Sequence, residues 1–192
     1  MDLPRLEPTD ALILVDVQKD FCPGGALAVA EGDQIVPVLN RWIDAALAGG
    51  AAIVASRDWH PPDHVSFQAC GGPWPTHCVQ DTPGAAFHEG LRLPADAQVV
   101  SKGDDPDRDN YSDFAGTRLA DWLRARGVQR VWIGGLALDY CVRATALDAL
   151  GERFEVHLVK AGTRPIDPHG GQQAIAELRA AGCIVENGGT GE

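Results

Sequence analysis

Residues 11–17 read ALILVDV: an unbroken apolar run that ends on the carboxylate of Asp16. Apolar residues on both alternate positions suit a strand covered on both faces, the condition of a parallel sheet. Outward from this run, further short apolar strands are predicted at 51–56, 98–101, 130–134, 154–160 and 183–186. Between them the spacing predicts helices over 34–49, 114–126, 140–150 and 169–181. In the first, Ile35, Val38, Leu39, Trp42, Ile43 and Ala46 recur at helical intervals, and Gly49-Gly50 stops it. In the second, Leu119, Trp122 and Leu123 point inward and Gly127 ends the helix. Strands alternating with helices predict a parallel sheet with helices on both faces. Residues 57–97 are rich in Pro, Gly, His and Asp without regular period, and a stretch of that length in a compact domain is often functional.

With 192 residues and 45% apolar content, one domain spanning 1–192 is expected. A net charge of −11 argues against a general nucleic-acid binder, which needs a basic face. No window reaches the roughly 18 apolar residues of a membrane span. The opening MDLPRLEPTD lacks a signal-peptide core, so a cytoplasmic location is expected. The five cysteines (22, 70, 78, 141 and 183) are odd in number and scattered, which reads as free thiols in a reducing compartment.

Ligands of open parallel sheets sit beyond the carboxyl ends of the strands. Asp16, Asp58, Lys102 and the Cys141 loop all follow predicted strand ends, so this topology brings them to one rim. Cys141 stands where GGLALDY turns into a helix, and a helix start or a nearby cation raises the thiolate fraction. Lys102 can supply the cation. Asp16 can take the thiol proton and return it to a leaving group. Backbone N–H groups around Ala137 and Cys141 can hold an oxyanion. Read singly, each residue has a bland alternative: a small buried cysteine, a loop cap, a solvated lysine.

A second set has the composition of a metal site. Asp58 and His60 are two apart and point the same way in an extended segment, and WPTHC adds His77. Two imidazoles and a carboxylate suit one divalent ion, Zn, Mn or Fe, with positions left open. Alternatives are a histidine-bearing loop without metal, or a structural zinc on Cys70, His77 and Cys78. His64 reads as a non-ligand, and His88, His157 and His169 as structural or surface residues. Phe21 and Trp74 flank the clusters and can sandwich a flat ring, with Tyr111 a weaker wall candidate. Trp42, Trp122 and Trp132 read as core.

The stretches ALILVDVQKDFCPGGALAV, SRDWHPPDHVSF, GGPWPTHCVQDTPGAAFH, SKGDDPDRDNYSDF and GGLALDYCVRATALDA, in this order, resemble nicotinamidases (pyrazinamidases) within the isochorismatase-like cysteine hydrolases. The resemblance implies a three-layer α/β/α sandwich with a six-stranded parallel sheet. It implies Asp16, Lys102 and Cys141 as the catalytic triad. It implies Asp58, His60 and His77 as ligands of the metal, zinc foremost, with waters completing the shell. It also implies a cis peptide at Leu136–Ala137. Leu138 departs from the family, where Thr often precedes the Asp-Tyr-Cys segment.

The expected activity is hydrolysis of nicotinamide to nicotinate and ammonia through a Cys141 thioester, in NAD salvage, with pyrazinamide as a second substrate. The expected partner is a small-molecule substrate, without nucleic acid or membrane; a homo-oligomer is left open. The ring nitrogen is expected on the metal, with the ring between Phe21 and Trp74. Alternatives are an amidohydrolase of another small aromatic or ureido amide, or a non-catalytic metal-binding or redox-sensing protein.

Overall fold

The computed structural model describes residues 3–186. Six strands, β1 (Asp10–Val15), β2 (Ala52–Asp58), β3 (Gln98–Lys102), β4 (Arg130–Leu136), β5 (Glu155–Arg164) and β6 (Ile184–Glu186), form one sheet in the order β3-β2-β1-β4-β5-β6. Every neighbouring pair is parallel. The helices are α1 (Ile35–Gly49), α2 (Leu119–Ala125), α3 (Arg143–Gly151) and α4 (Pro168–Ala180).

The unbroken apolar run of β1 has a direct structural counterpart. Side chains alternate across a strand, and Leu12 and Leu14 face α1 through Ile35, Leu39, Trp42 and Ile43. Ala11, Ile13 and Val15 face the opposite layer, built by Leu119 and Leu123 of α2, Ala146 and Ala149 of α3, and Ala174 and Leu178 of α4. Helices therefore cover both faces, as the alternation predicts. Fully burying a Leu or Ile side chain contributes about 1.5–3 kcal/mol, so this strand alone anchors both layers. Trp42 and Trp132 pack together in the α1 layer with ring centroids 5.0 Å apart.

The chain leaves β1 toward β2 and β3, then returns to place β4 on the other side of β1. The strand order thus reverses between β1 and β4, the place where open parallel sheets bind ligands past their carboxyl ends. The two strands approach closely there. Gly135 has φ +135°, and a Cβ at that position would lie 2.0 Å from the Val15 carbonyl oxygen, so only glycine fits. The next peptide, Leu136–Ala137, is cis, as the family resemblance implies.

Several expected boundaries move. The helix expected over 114–126 is confined to Leu119–Ala125. Gly116 takes φ +72°, outside the helical region, and the Thr117 hydroxyl donates to the Asp113 carbonyl at 2.6 Å while accepting from the Leu119 N–H at 3.2 Å. Trp122 is half-buried and not core, with the Arg126 guanidinium 3.6 Å from its ring centroid. Strand β2 runs two residues further than expected, so Asp58 ends the strand. Strand β5 continues to Arg164 because a register shift against β4 between Ile133 and Gly135 lets pairing resume. Past Asp58, the stretch to residue 97 holds short 3₁₀ turns at Gln68–Cys70 and Pro83–Ala85 and isolated bridges such as His60–Val79 and Phe67–Trp74. No helix among the described residues is long and apolar enough to cross a membrane.

Candidate active site

Asp16 is the first residue past β1. It takes φ +48°, the left-handed region, which costs an L-residue about 1–2 kcal/mol. Ser56 on β2 holds it there: its hydroxyl donates to Asp16 Oδ1 at 2.8 Å and accepts from the Asp16 N–H at 3.2 Å. Lys102 ends β3, directly opposite Asp58 in the parallel register. Its side chain, ammonium included, is wholly buried. The Nζ donates to Asp16 Oδ2 at 2.6 Å and to Asp58 Oδ1, and lies 3.7 Å from Cys141 Sγ.

Cys141 lies in a wide turn, Leu138–Val142, that joins β4 to α3. The sequence predicts a helix from 140; the regular helix begins at Arg143. The Ala137 carbonyl accepts from both Tyr140 and Val142 N–H groups, which gives the turn its width. Asp139 pins it from outside by accepting from the Ile166 N–H at 2.9 Å and the Asp167 N–H at 3.0 Å. Asp16, Asp58 and Cys141 bring one donor atom each to within 4.8 Å of one another.

One ammonium shared by two carboxylates sets their titration. Burial works to raise the Asp58 carboxyl, but Lys102 and His60 outweigh it and hold Asp58 below the usual carboxylate range. Burial pushes Asp16 up to about 6 against the pull of Lys102, with the Asp58 charge adding to the rise. Burial opposes charge on Lys102, and the two carboxylates reverse that and raise it well above an ordinary lysine. Burial also raises the Cys141 thiol well above its usual value, against Lys102. In the sequence, a cation and a helix start favour ionisation of Cys141. Burial works against that ionisation, and Asp16 is the adjacent carboxylate able to take the proton.

Asp58, His60 and His77 bring their ligand atoms to within 4.8 Å of one another, all buried. His60 Nδ1 hydrogen-bonds the Gly103 carbonyl at 2.8 Å, and His77 Nδ1 the Pro75 carbonyl at 2.8 Å. Each ring thus keeps Nε2 free to ligate, the usual outer-shell arrangement around metal-binding histidines. Two imidazoles and a carboxylate are a fitting donor set for a divalent ion with open positions. His64 stacks on His60 with centroids 4.1 Å apart, and its own nitrogens face Ser66 Oγ at 2.7 Å and the Arg108 carbonyl at 3.2 Å. It stands outside the ligand group. Cys70 is exposed and directs its sulfur to the Asp63 carbonyl, away from any joint site with His77 and Cys78. All five cysteines are free thiols.

Phe21 is buried with its ring 5.6 Å from His77. Trp74 is edge-on to Tyr140 at 5.0 Å and donates from Nε1 to the Tyr111 hydroxyl at 3.0 Å. Phe21 thus stands by the imidazoles and Trp74 beside Tyr140 of the nucleophile turn.

Four further residues belong to this neighbourhood and have no local signal in the sequence. Ser56 and Tyr140 are described above. Gln18, fully buried, donates from Nε2 to the carbonyls of Asp58 and Ala85 and accepts from the Asp58 N–H. Asp113 is fully buried and neither carboxyl oxygen has a hydrogen-bond partner among the described residues.

The Isochorismatase domain family matches residues 10–188. A nicotinamidase of Escherichia coli is 43% identical over 201 residues, covering 93% of this chain and 94% of the relative. The crystal structure of a pyrazinamidase of Pyrococcus horikoshii in complex with zinc superimposes with a TM-score of 0.91 at 52% identity, covering 93% of this chain and 99% of that one. PnC1 from L. infantum in complex with nicotinate gives 0.89 at 37% identity, covering 95% of each chain.

Proposed function

The chain belongs to the isochorismatase family, and from that premise we propose that it is an amidohydrolase that converts nicotinamide to nicotinate and ammonia. The observation that carries the reading is the Lys102 ammonium seated between Asp16, Asp58 and Cys141, because it joins a thiol–carboxylate pair to a carboxylate shared with two imidazoles. Relatives named as nicotinamidases and pyrazinamidases support the substrate class.

Asp58, His60 and His77 are the proposed ligands of a divalent metal, zinc by analogy with the pyrazinamidase complex. When bound, such an ion supplies a Lewis-acid anchor for the heteroaromatic nitrogen of the substrate. Phe21 and Trp74 are the proposed ring contacts, and pyrazinamide, with the same ring shape, is a second substrate.

Asp16 removes the Cys141 proton, and the thiolate attacks the carboxamide carbon. The backbone N–H groups of Ala137 and Cys141 are the proposed donors to the oxyanion. Asp16 passes the proton to the departing nitrogen; the C–N bond breaks, ammonia leaves and a Cys141 thioester remains. Asp16 then deprotonates a water that attacks the thioester carbon. The C–S bond breaks, the acid leaves and the sulfur regains its proton from Asp16. Lys102 stays charged throughout and keeps the negative charge of Asp16 and the sulfur in place.

The decisive experiment is a deamidation assay on the metal-loaded protein and on Cys141→Ala. Ammonia release from nicotinamide by the parent and none by a folded variant is expected. Turnover retained by Cys141→Ala removes the nucleophile, and a parent that releases ammonia only from other amides removes the substrate.

A further inference from the structure

We infer that the Lys102 ammonium occupies the position of a second divalent cation, and thereby keeps the Cys141 sulfur from capture by metal. Asp16, Asp58 and Cys141 place two carboxylate oxygens and a sulfur within 4.8 Å of one another, all buried. Two oxygens and a sulfur are a competent zinc donor set. A cation already sits among them: Lys102 Nζ contacts both carboxylates and lies 3.7 Å from the sulfur.

Asp58 belongs to this group and to the group formed with His60 and His77. Its Oδ1 accepts from Lys102, while its Oδ2 lies 3.7 Å from His60 Nε2. A carboxylate shared between adjacent cation positions is the arrangement of two-metal sites. Here one position is filled by a covalently tethered ammonium.

The chemical reason is the sulfur. Thiolate is the softest donor at the rim and binds zinc readily. A sulfur bound to zinc shares its electron density with the ion and is a much weaker nucleophile toward a carbonyl. A nucleophilic thiol beside a metal site therefore needs its neighbouring cation position closed to metal, and a tethered ammonium closes it without taking the sulfur's electrons. This inference rests on the metal site proposed above; the first equivalent of metal in the parent tests that site, and a second equivalent in a variant tests the guard.

The test is zinc stoichiometry and the cobalt(II) spectrum of the stripped and reconstituted full chain, for the parent, Lys102→Ala and Lys102→Met. The parent is expected to bind one equivalent, without a near-ultraviolet thiolate-to-cobalt band. The variants are expected to bind two and to show the band, which disappears in Lys102→Ala/Cys141→Ala. Variants that bind one equivalent and show no band overturn the proposal. A measurement on the parent stands independently of variant folding: the rate of iodoacetamide labelling at Cys141, followed by peptide mass, is expected to be the same with one equivalent of zinc and with excess. Protection by excess zinc overturns the proposal.

Discussion

Gln18 and Asp58, forty positions apart, exchange a closed pair of hydrogen bonds: Gln18 Nε2 donates to the Asp58 carbonyl and the Asp58 N–H donates to Gln18 Oε1, both at 2.8 Å. The same Nε2 reaches the Ala85 carbonyl at 2.9 Å. One buried carboxamide therefore fixes the peptide that carries the proposed carboxylate ligand. Gln18→Glu keeps the acceptor and turns both donated bonds into oxygen–oxygen repulsion. Its zinc affinity is expected to fall about 10–100-fold, the usual cost of disturbing an outer-shell partner. Competition against a chromophoric chelator measures this; an unchanged affinity with a lowered Tm would assign Gln18 to stability alone.

Asp16→Asn keeps an acceptor at Oδ1 for the Ser56 hydroxyl and removes the proton acceptor from the thiol. A loss of about 10²–10⁴ in kcat is expected, with KM little changed. Steady-state kinetics on nicotinamide reads the split. A variant with raised KM and full kcat would make Asp16 a binding residue.

Chelation is expected to remove activity in step with bound metal, and Zn, Mn or Fe to restore it. His60→Ala and His77→Ala are expected to release the ion while the sheet stays folded, since neither ring belongs to the two apolar layers. Metal content by mass spectrometry beside far-UV circular dichroism separates loss of ion from loss of fold.

Asp113 gives a pH-dependent prediction. Burial, reinforced by the Asp16 charge, raises its carboxyl well above the ordinary value. Folding thus favours its neutral form, whereas the unfolded carboxyl ionises near pH 3.9. Its contribution to stability is therefore fully present below about pH 4 and is lost as the pH rises toward the folded value. Asp113→Asn, neutral in both states, escapes that loss. The difference in Tm between variant and parent is expected to grow in the variant's favour from pH 4 to pH 7. A difference that stays flat over this range would show that Asp113 is ionised in the folded protein.

Much of the fold is legible because parallel strands covered on both faces leave no polar alternation, so ALILVDV and its counterparts stand out as unbroken apolar runs. The rim is legible for a related reason: a charge at the end of a strand has little to do in an apolar core, and Asp16 just past β1 and Lys102 closing β3 are both of that kind. The residues that hold the site are a different matter. Ser56 and Gln18 are ordinary polar residues whose partners lie forty positions away, so nothing local marks them. The start of α2 is not legible because the apolar spacing continues through Phe114, while the φ of Gly116 and the hydroxyl of Thr117 decide where the helix begins. The thiol's raised proton affinity follows from burial, which only the folded chain determines.

All six strands run the same way, so the proposed catalytic residues gather at their carboxyl ends and, among the described residues, none of them lies at the opposite end. That end includes four tight returns: 50–51 before β2, 126–129 before β4, 152–154 before β5 and 181–183 before β6. A tether introduced at one of these returns leaves the reactive mouth facing outward. The molecule can thus be mounted on a support by its idle side, with the approach for small amides unobstructed.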